Sequence, residues 1–549
     1  MKRFISIVMA LVMIITLALP VGAISLRRDG SDIPVVAIFG DGEPLYDEEG
    51  NKVFHFREII SMLGASAKES LGESLVAMTK PFLIDGLLKD EWSSFYAVLE
   101  QEMGRIFEAA RYDKNGENFN GTDVSKDVRR RMAENIKRDT KLLNGSYYVY
   151  DYQFWYDWRQ DPLKTADEFH QYIQDIKKIT GAPKVSIIAR CLGTSVVMAY
   201  LAKYGTQDVY GVSFNGSVAA GGEIVSELIS GKFDLDLNAV KRMLADFDNN
   251  GKMSIDGVIL ATIDLLAKTV EALGFELEDT ALYEKLAQGV FAAGSRATFF
   301  TWPGYWALVT EEDYEDALCY IFGEEGSDLR KEYAGLIEKI ENYHNTVAVN
   351  IPNILEGLKK DGVKVGVIAK YGYQIAPVIE SKEAVGDQFA SIKRASFGAT
   401  TSTIYTTLSD EYIENRIAEG KGKYISPDKQ IDASTCIFPD STWFTKGITH
   451  SEWTVFETAL LFQVITAKEQ LTIEDFDCTQ FIVFDNATKT AYPMTEENCH
   501  TEPWNLDVRY DKPQTFTEKI TAFLKSLSNF FKEFLRFAQE KLKEQSSAK

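Results

Sequence analysis

Cysteine is scarce in this sequence. Only five of its 549 residues are cysteine (Cys191, Cys319, Cys436, Cys478 and Cys499), too few to staple so long a chain, which excludes a disulfide scaffold. The odd number leaves at least one thiol free, and no C-x-x-C spacing occurs, so the usual structural zinc signature is missing too. Basic charge is also short: 59 Lys and Arg stand against 81 Asp and Glu, a net charge of −22. Phosphate backbones are held by basic faces, so nucleic acid is excluded as a partner class. Long apolar runs are absent with one exception. Phe4 to Leu19 follows Lys2 and Arg3, stops at Pro20 and leads into Val21-Gly22-Ala23. That pattern predicts a secretory signal peptide over 1–23 and a secreted or extracellular product. An uncleaved anchor is the weaker reading, because the run is short and ends in a helix breaker. No cysteine follows closely enough to carry a lipid.

Apolar side chains, by contrast, are plentiful. With 45% hydrophobic and 12% aromatic residues the chain can bury a large core, and its length exceeds what one domain usually holds. One large body with an insertion is expected.

The most informative stretch is Lys184 to Tyr204, KVSIIARCLGTSVVMAYLAKY. It reads as an apolar strand over Val185 to Ala189, a sharp turn at Arg190-Cys191-Leu192-Gly193, and a helix opening at Thr194. A strand–turn–helix of this kind can lift a nucleophile clear of a sheet and aim a helix N-terminus at a developing oxyanion. Here the residue at the tip is Cys191. A helix N-terminus and a neighbouring imidazolium both favour a thiolate.

Other segments complete the outline. Ile33 to Phe39 is a continuous apolar strand followed by Gly40-Asp41-Gly42, a turn whose backbone can approach a ligand, or an ordinary loop. Val209 to Phe214 and Val363 to Ala369 read as further buried strands, and Phe481 to Tyr492 as a hairpin. From Glu223 to about Tyr343 the pattern is helical, with an aromatic run from Phe299 to Trp306 that suits either the roof of an apolar cleft or the core of the insertion itself. Asp157 and Arg159 read as a buried ion pair fixing a loop rather than as substrate contacts.

Two further motifs carry function only in one of their readings. Asp246, Asp248, Asn250 and Ser254, with Lys252 offering its carbonyl and Gly251 at the sixth position, follow the calcium-loop template. Position twelve is Gly257 instead of the bidentate Glu, so a polar helix–helix turn competes with a structural calcium site. Residues 513–549 place Phe516, Ile520, Phe523, Leu527, Phe530, Phe534 and others at three- and four-residue spacing, with Lys and Arg opposite. This amphipathic helix suits an anionic membrane surface, or packing on protein.

YDWRQDP (Tyr156 to Pro162), the helical run behind it and TGAPKVSIIARCLG together resemble the lecithin:cholesterol acyltransferase-like branch of the α/β-hydrolases, whose members carry a YDWR segment one helix before a GHSMGG elbow. IPVVAIFGDGEPLYD and QIDASTCIFPD through GITHSEW extend the resemblance over most of the chain outside the middle insertion. Arg190, Cys191 and Thr194 stand where the family has His, Ser and Gly. The resemblance implies an α/β-hydrolase fold with a core of 24–215 and 346–512, a mainly helical cap over 216–345 and the C-terminal amphipathic helix. It implies that the loop after the first strand, at Asp41 or Gly42, supplies an oxyanion-hole N–H beside that of Leu192. It also implies an acid and a histidine after the nucleophile in the chain.

Of five histidines, His344 lies in a helix, His500 in a polar segment, and His450 in the loop after a late core strand, where the family keeps its catalytic histidine. Asp432 takes the position of the family's acid, with Asp428 and Asp440 as alternatives. The expected function is a secreted acyl hydrolase or acyltransferase acting on lipid-like carboxylic esters through a Cys191–His450–Asp432 triad and an acyl-enzyme, with no cofactor required. The alternative is a catalytically inactive surface or binding protein on the same fold.

Overall fold

The computed structural model describes residues 33–40, 44–54, 81, 85–86, 89, 91–124, 150–234, 289, 291–376, 379–404, 406–452, 454–476, 478–485 and 488–499. The readings made on 1–23, on Asp41 and Gly42, on the 246–257 loop and on 513–549 lie outside the described residues. The chain divides into two compact units. One comprises Met1–Lys232, Val290–Ile375 and Ile379–Thr501, and the elements below belong to it; the other comprises Phe233–Gly289, Ala376–Val378 and Glu502–Lys549.

In chain order the elements that matter are β1 (Val35–Ile38), β2 (Tyr152–Phe154), helix α1 (Pro162–Thr180), β3 (Val185–Cys191), α2 (Leu192–Tyr204) and β4 (Val209–Ser217). They continue with α3 (Glu223–Ile229), α4 (Tyr314–Phe322), α5 (Ala334–Thr346), α6 (Ile351–Lys360), β5 (Lys364–Tyr371) and β6 (Thr442–Lys446). Helix α7 (Val455–Thr466), β7 (Phe481–Asp485) and β8 (Thr490–Pro493) close the series. The strands form one eight-stranded sheet in the order β8-β7-β6-β5-β4-β3-β1-β2. Every neighbouring pair is parallel except β7 with β8, the expected hairpin. The fold class is therefore α/β.

The parallel strands are apolar because helices cover both faces of the sheet. On β3 the alternation is plain: Val185, Ile187 and Ala189 pack into the large core beneath α1 and α2, whereas Ile188 faces the other way, onto Phe462 and Ile465 of α7. Helix α1 starts where Asp161 accepts a bond from the Leu163 amide (2.9 Å) with Pro162 in the first turn, and it stops at Gly181 (φ 71°). Its buried residues Leu163, Ala166, Phe169, Ile173 and Ile176 recur at three and four, which turns one stripe to the core. Helix α2 is buried on nearly every side from Leu192 to Leu201, as an all-round apolar helix must be.

The aromatic run serves as core. Trp302 is fully buried, stacks edge-on to Trp158 (5.1 Å between centroids) and donates from Nε1 to the Ala110 carbonyl (2.7 Å). Phe300 and Trp306 are buried in a second cluster with α4 and α5.

The order of the strands locates the crevice. Going out from β1, the chain places β2 on one side and β3 on the other, so β1 and β3 are the point where the winding reverses. In open α/β sheets, ligands settle beyond the carboxyl ends of the strands at such a point. Gly40 and Cys191 stand there.

Candidate active site

Cys191 ends β3 and precedes α2 with φ 50° and ψ −136°, a conformation that a residue with a Cβ adopts only under constraint. Such strain costs about 1–3 kcal/mol and is retained where the surroundings enforce it. Two glycines show the enforcement. A Cβ on Gly193 would lie 2.5 Å from the Ile38 carbonyl oxygen, so the small residue lets α2 begin against the end of β1. A Cβ on Gly40 would lie 2.9 Å from both Cβ and Sγ of Cys191 and 3.1 Å from the Leu192 nitrogen. The loop after β1 thus runs across the thiol and the first amide of α2. Tyr156, from the YDWR segment, anchors that loop by donating to the Phe39 carbonyl (2.8 Å).

Thr194, where the resembling family has glycine, has a structural use. Its hydroxyl donates to the Cys191 carbonyl (2.6 Å) and accepts from the Val218 amide (3.1 Å), tying the turn to the end of β4. Ser195 is buried within α2.

His450 follows β6. Its ring is parallel-stacked on Phe389 (4.7 Å between centroids), and Gly216 lies against it, such that a Cβ there would be 3.6 Å from Cε1 and Nδ1. Cys191 pairs in the sheet with Ser217, the next residue, so the imidazole stands over the neighbouring strand end. Nδ1 is 2.8 Å from Asp387 Oδ2. Nε2 is buried without a well-formed hydrogen bond. The Cys191 thiol is near enough to favour the imidazolium by charge and by hydrogen bonding. Burial opposes protonation of His450, but the Asp387 carboxylate and Cys191 outweigh it and hold the imidazole up to about 10.

Asp387, not Asp432, is the carboxylate on His450. It is fully buried, and its Oδ1 accepts from the Phe389 amide (3.1 Å) and the Ala390 amide (3.0 Å). The His450 amide donates in turn to the Asp387 carbonyl (2.8 Å), so side chain and backbone lock the two loops together. Burial pushes its carboxyl up, but the His450 charge and these donors prevail and hold it below the usual carboxylate range.

Asp432 sits elsewhere, with both oxygens engaged. Oδ2 accepts from Arg416 Nε (2.7 Å) and the Tyr412 hydroxyl (2.8 Å), and Oδ1 accepts from the Ser434 amide (2.8 Å). It therefore organises its own loop. Asp428 is engaged with Tyr371, Ser426 and Lys446, and Asp440 with Tyr424. The sequence reading passed over Asp387, whose one local mark is the glycine–aspartate step Gly386-Asp387 at the end of a short strand (Val385–Gly386).

The remaining candidates resolve as follows. His344 stacks on Tyr314 (3.6 Å between centroids), a packing role. Asp157 and Arg159 form a buried pair (2.7 Å), with Arg159 also donating to the Ala110 and Thr122 carbonyls. No disulfide links the five cysteines. Burial pushes the Cys436 thiol up to about 12, which makes it inert. Among the described residues no cluster of His, Cys, Asp and Glu could hold a metal ion, and no helix is long and apolar enough to cross a membrane.

No family model and no curated protein matches the chain. Among solved structures, a chain from the crystal structure of the Tle4–Tli4 complex is similar at 13% identity, over 62% of this chain and 74% of that chain, with a TM-score of 0.23. A likeness at that level carries no argument about activity.

Proposed function

We propose that this protein is an acyl hydrolase or acyltransferase on an α/β-hydrolase fold, acting on lipid-like carboxylic esters through Cys191, His450 and Asp387. The observation that carries the reading is the conjunction of a strained cysteine at a strand–helix turn with an Asp–His pair whose imidazole lies over the end of the adjacent strand β4. Each feature alone has structural explanations; together they are the parts that nucleophilic acyl transfer needs.

The chemistry follows from the atoms. Asp387 holds Nδ1–H, which leaves Nε2 for the nucleophile side. Cys191, at the N-terminus of α2 and beside the His450 imidazole, is the nucleophile. Its sulfur adds to the ester carbonyl, the oxyanion forms beside the Leu192 amide, and His450 gives its proton to the departing alkoxide. A water or an alcohol, deprotonated by His450, then takes the acyl group from sulfur. The apparent leader over 1–23 and the amphipathic stretch over 513–549 fit an exported protein working at a lipid surface.

The test is hydrolysis of a p-nitrophenyl ester series alongside iodoacetamide alkylation of Cys191. Turnover that disappears in both Cys191→Ala and His450→Gln supports the enzyme. Alkylation at the rate of an ordinary thiol, indifferent to His450, together with absent turnover, would leave a binding scaffold.

A further inference from the structure

The residue before the cysteine is Arg190, and its placement has a purpose that the triad does not use. Along β3 it alternates with Cys191 and shares a face with Ile188, the face covered by α7. On β5, Lys370 shares a face with Ile368, which packs on α7 residues Leu460, Leu461 and Val464. Both cations therefore lie under the start of α7, where the loop bearing His450 enters that helix.

Their donors go to that loop's backbone. Arg190 Nη2 donates to the His450 carbonyl (3.0 Å) and the Glu452 carbonyl (3.3 Å). Lys370, with no exposed surface, donates from Nζ to the same Glu452 carbonyl. Two cations on the carbonyls of one short loop is an expensive arrangement in a core, since each must be removed from water. Neutral donors would satisfy carbonyls at lower cost. Nearby negative charge supplies a reason: Glu457, fully buried in the first turn of α7, has one oxygen on the Thr454 amide (3.0 Å) and the other without a partner, and Asp387 and Cys191 lie close by. Burial pushes the Lys370 ammonium down to about 8; Glu457 counters this, Arg190 adds to it, and Asp387 and Cys191 oppose it.

We propose that Arg190 and Lys370 act as a pair of positioning residues whose cationic heads clamp the His450 and Glu452 carbonyls and hold the imidazole against Cys191. This rests on the triad reading above. It also gives a reason for an arginine beside a cysteine at this turn.

The experiment measures the pH profile of Cys191 alkylation by iodoacetamide, and kcat and KM on a p-nitrophenyl ester, in full-length wild type, His450→Gln, Lys370→Met, Arg190→Gln and Arg190→Lys. Lys370→Met replaces a buried ammonium by an apolar chain of similar length but leaves Glu457 without that countercharge, so it is compared only in preparations whose circular dichroism matches wild type. The clamp predicts that Lys370→Met and Arg190→Gln lower kcat by roughly 10- to 100-fold with KM nearly unchanged, the effect of a misplaced catalytic group. Their alkylation profiles move toward that of His450→Gln. Arg190→Lys, which keeps a cation, restores much of the loss. Should Arg190→Gln fail to fold, Lys370→Met and Arg190→Lys carry the same decision. Wild-type kcat and profile in folded Lys370→Met and Arg190→Lys would overturn the clamp alone. A wild-type profile identical to that of His450→Gln would overturn the triad on which it rests.

Discussion

Two acidic–basic pairs lie in the same compact unit, and they are built to opposite ends. In the first, Arg159 is saturated: Nε and Nη2 bind the two oxygens of Asp157 (2.9 and 2.7 Å), and the remaining donors go to the Ala110 carbonyl, the Thr122 carbonyl and the Thr122 hydroxyl. Tyr112 adds its hydroxyl to Asp157 (2.9 Å). In the second, Asp387 is equally well supplied, but His450 keeps Nε2 buried without a full partner, beside a cysteine in a strained conformation. A pair that only holds a loop completes every bond, because each unmet buried polar atom costs about 1–3 kcal/mol. A pair that must receive a proton keeps one atom available. Saturation on one side and a vacancy with strain on the other is the difference that the proposed triad predicts.

That contrast can be broken most directly at the sulfur. Cys191→Ala is expected to reduce ester hydrolysis by at least about 10³-fold with the fold intact; turnover close to wild type would put the nucleophile elsewhere. Next comes Asp387→Asn, which leaves the bond geometry but removes the charge on His450. It should lower kcat by roughly 10²- to 10⁴-fold, as measured on the same ester. A rate within a few-fold of wild type would make Asp387 a mere loop staple.

At the saturated pair the effect should fall on stability. Asp157→Asn strands the Arg159 charge in the core, at a cost of about 3–5 kcal/mol, readable as a lower denaturant midpoint. The rate per folded molecule should stay near wild type, and a selective loss of kcat would mean that the YDWR loop takes part in the chemistry.

A pH series sharpens the comparison further. His450 is held up to about 10 in the fold, against about 6.5 when unfolded. Its contribution to stability is therefore complete below about pH 6.5 and lost as the pH rises toward 10. Lys370, pushed down to about 8, works in the other direction, adding stability between about 8 and about 10.4. Subtracting a His450→Gln curve from the wild-type curve removes the lysine to first order. The wild-type advantage should shrink across pH 6.5 to 10, and an advantage that grows instead would show a neutral imidazole in the fold.

The smallest effect on rate is expected at Asp432→Asn. Breaking its bonds to Arg416, Tyr412 and Ser434 should cost about 1–3 kcal/mol of stability, while kcat stays within about threefold. A drop as large as that of Asp387→Asn would return Asp432 to the site.

The misplacement of the acid has a physical cause. Asp387, Asp428, Asp432 and Asp440 all lie among the late strands, and the glycine before Asp387 is too common a mark to single out the one that meets His450. Asp432 even looks the part, being fully buried and held by three donors. The choice is made by how the 385–391 segment folds back, with the Asp387 amide on the Ala390 carbonyl (3.2 Å) and Phe389 laid on the imidazole. The same holds for the aromatic run at Phe299 to Trp306, whose composition suits a cleft or a core equally. Only its docking on Trp158 and on the backbone of Arg159, which accepts the Gly304 amide (2.9 Å), decides for core.

The amino-acid order alone determined the strands, the turn and the helix over Val185 to Tyr204, the buried Asp157–Arg159 pair and the loop position of His450. These depend on periodicities of two and 3.6 and on residue chemistry within a few positions. The tertiary structure alone decided which aspartate meets His450 across 63 residues, and that Arg190 reaches the His450 carbonyl across 260. Such contacts arise from the order in which parallel strands pair, with helices and loops between them. That order brings distant strand ends to one crevice without any local mark in the sequence.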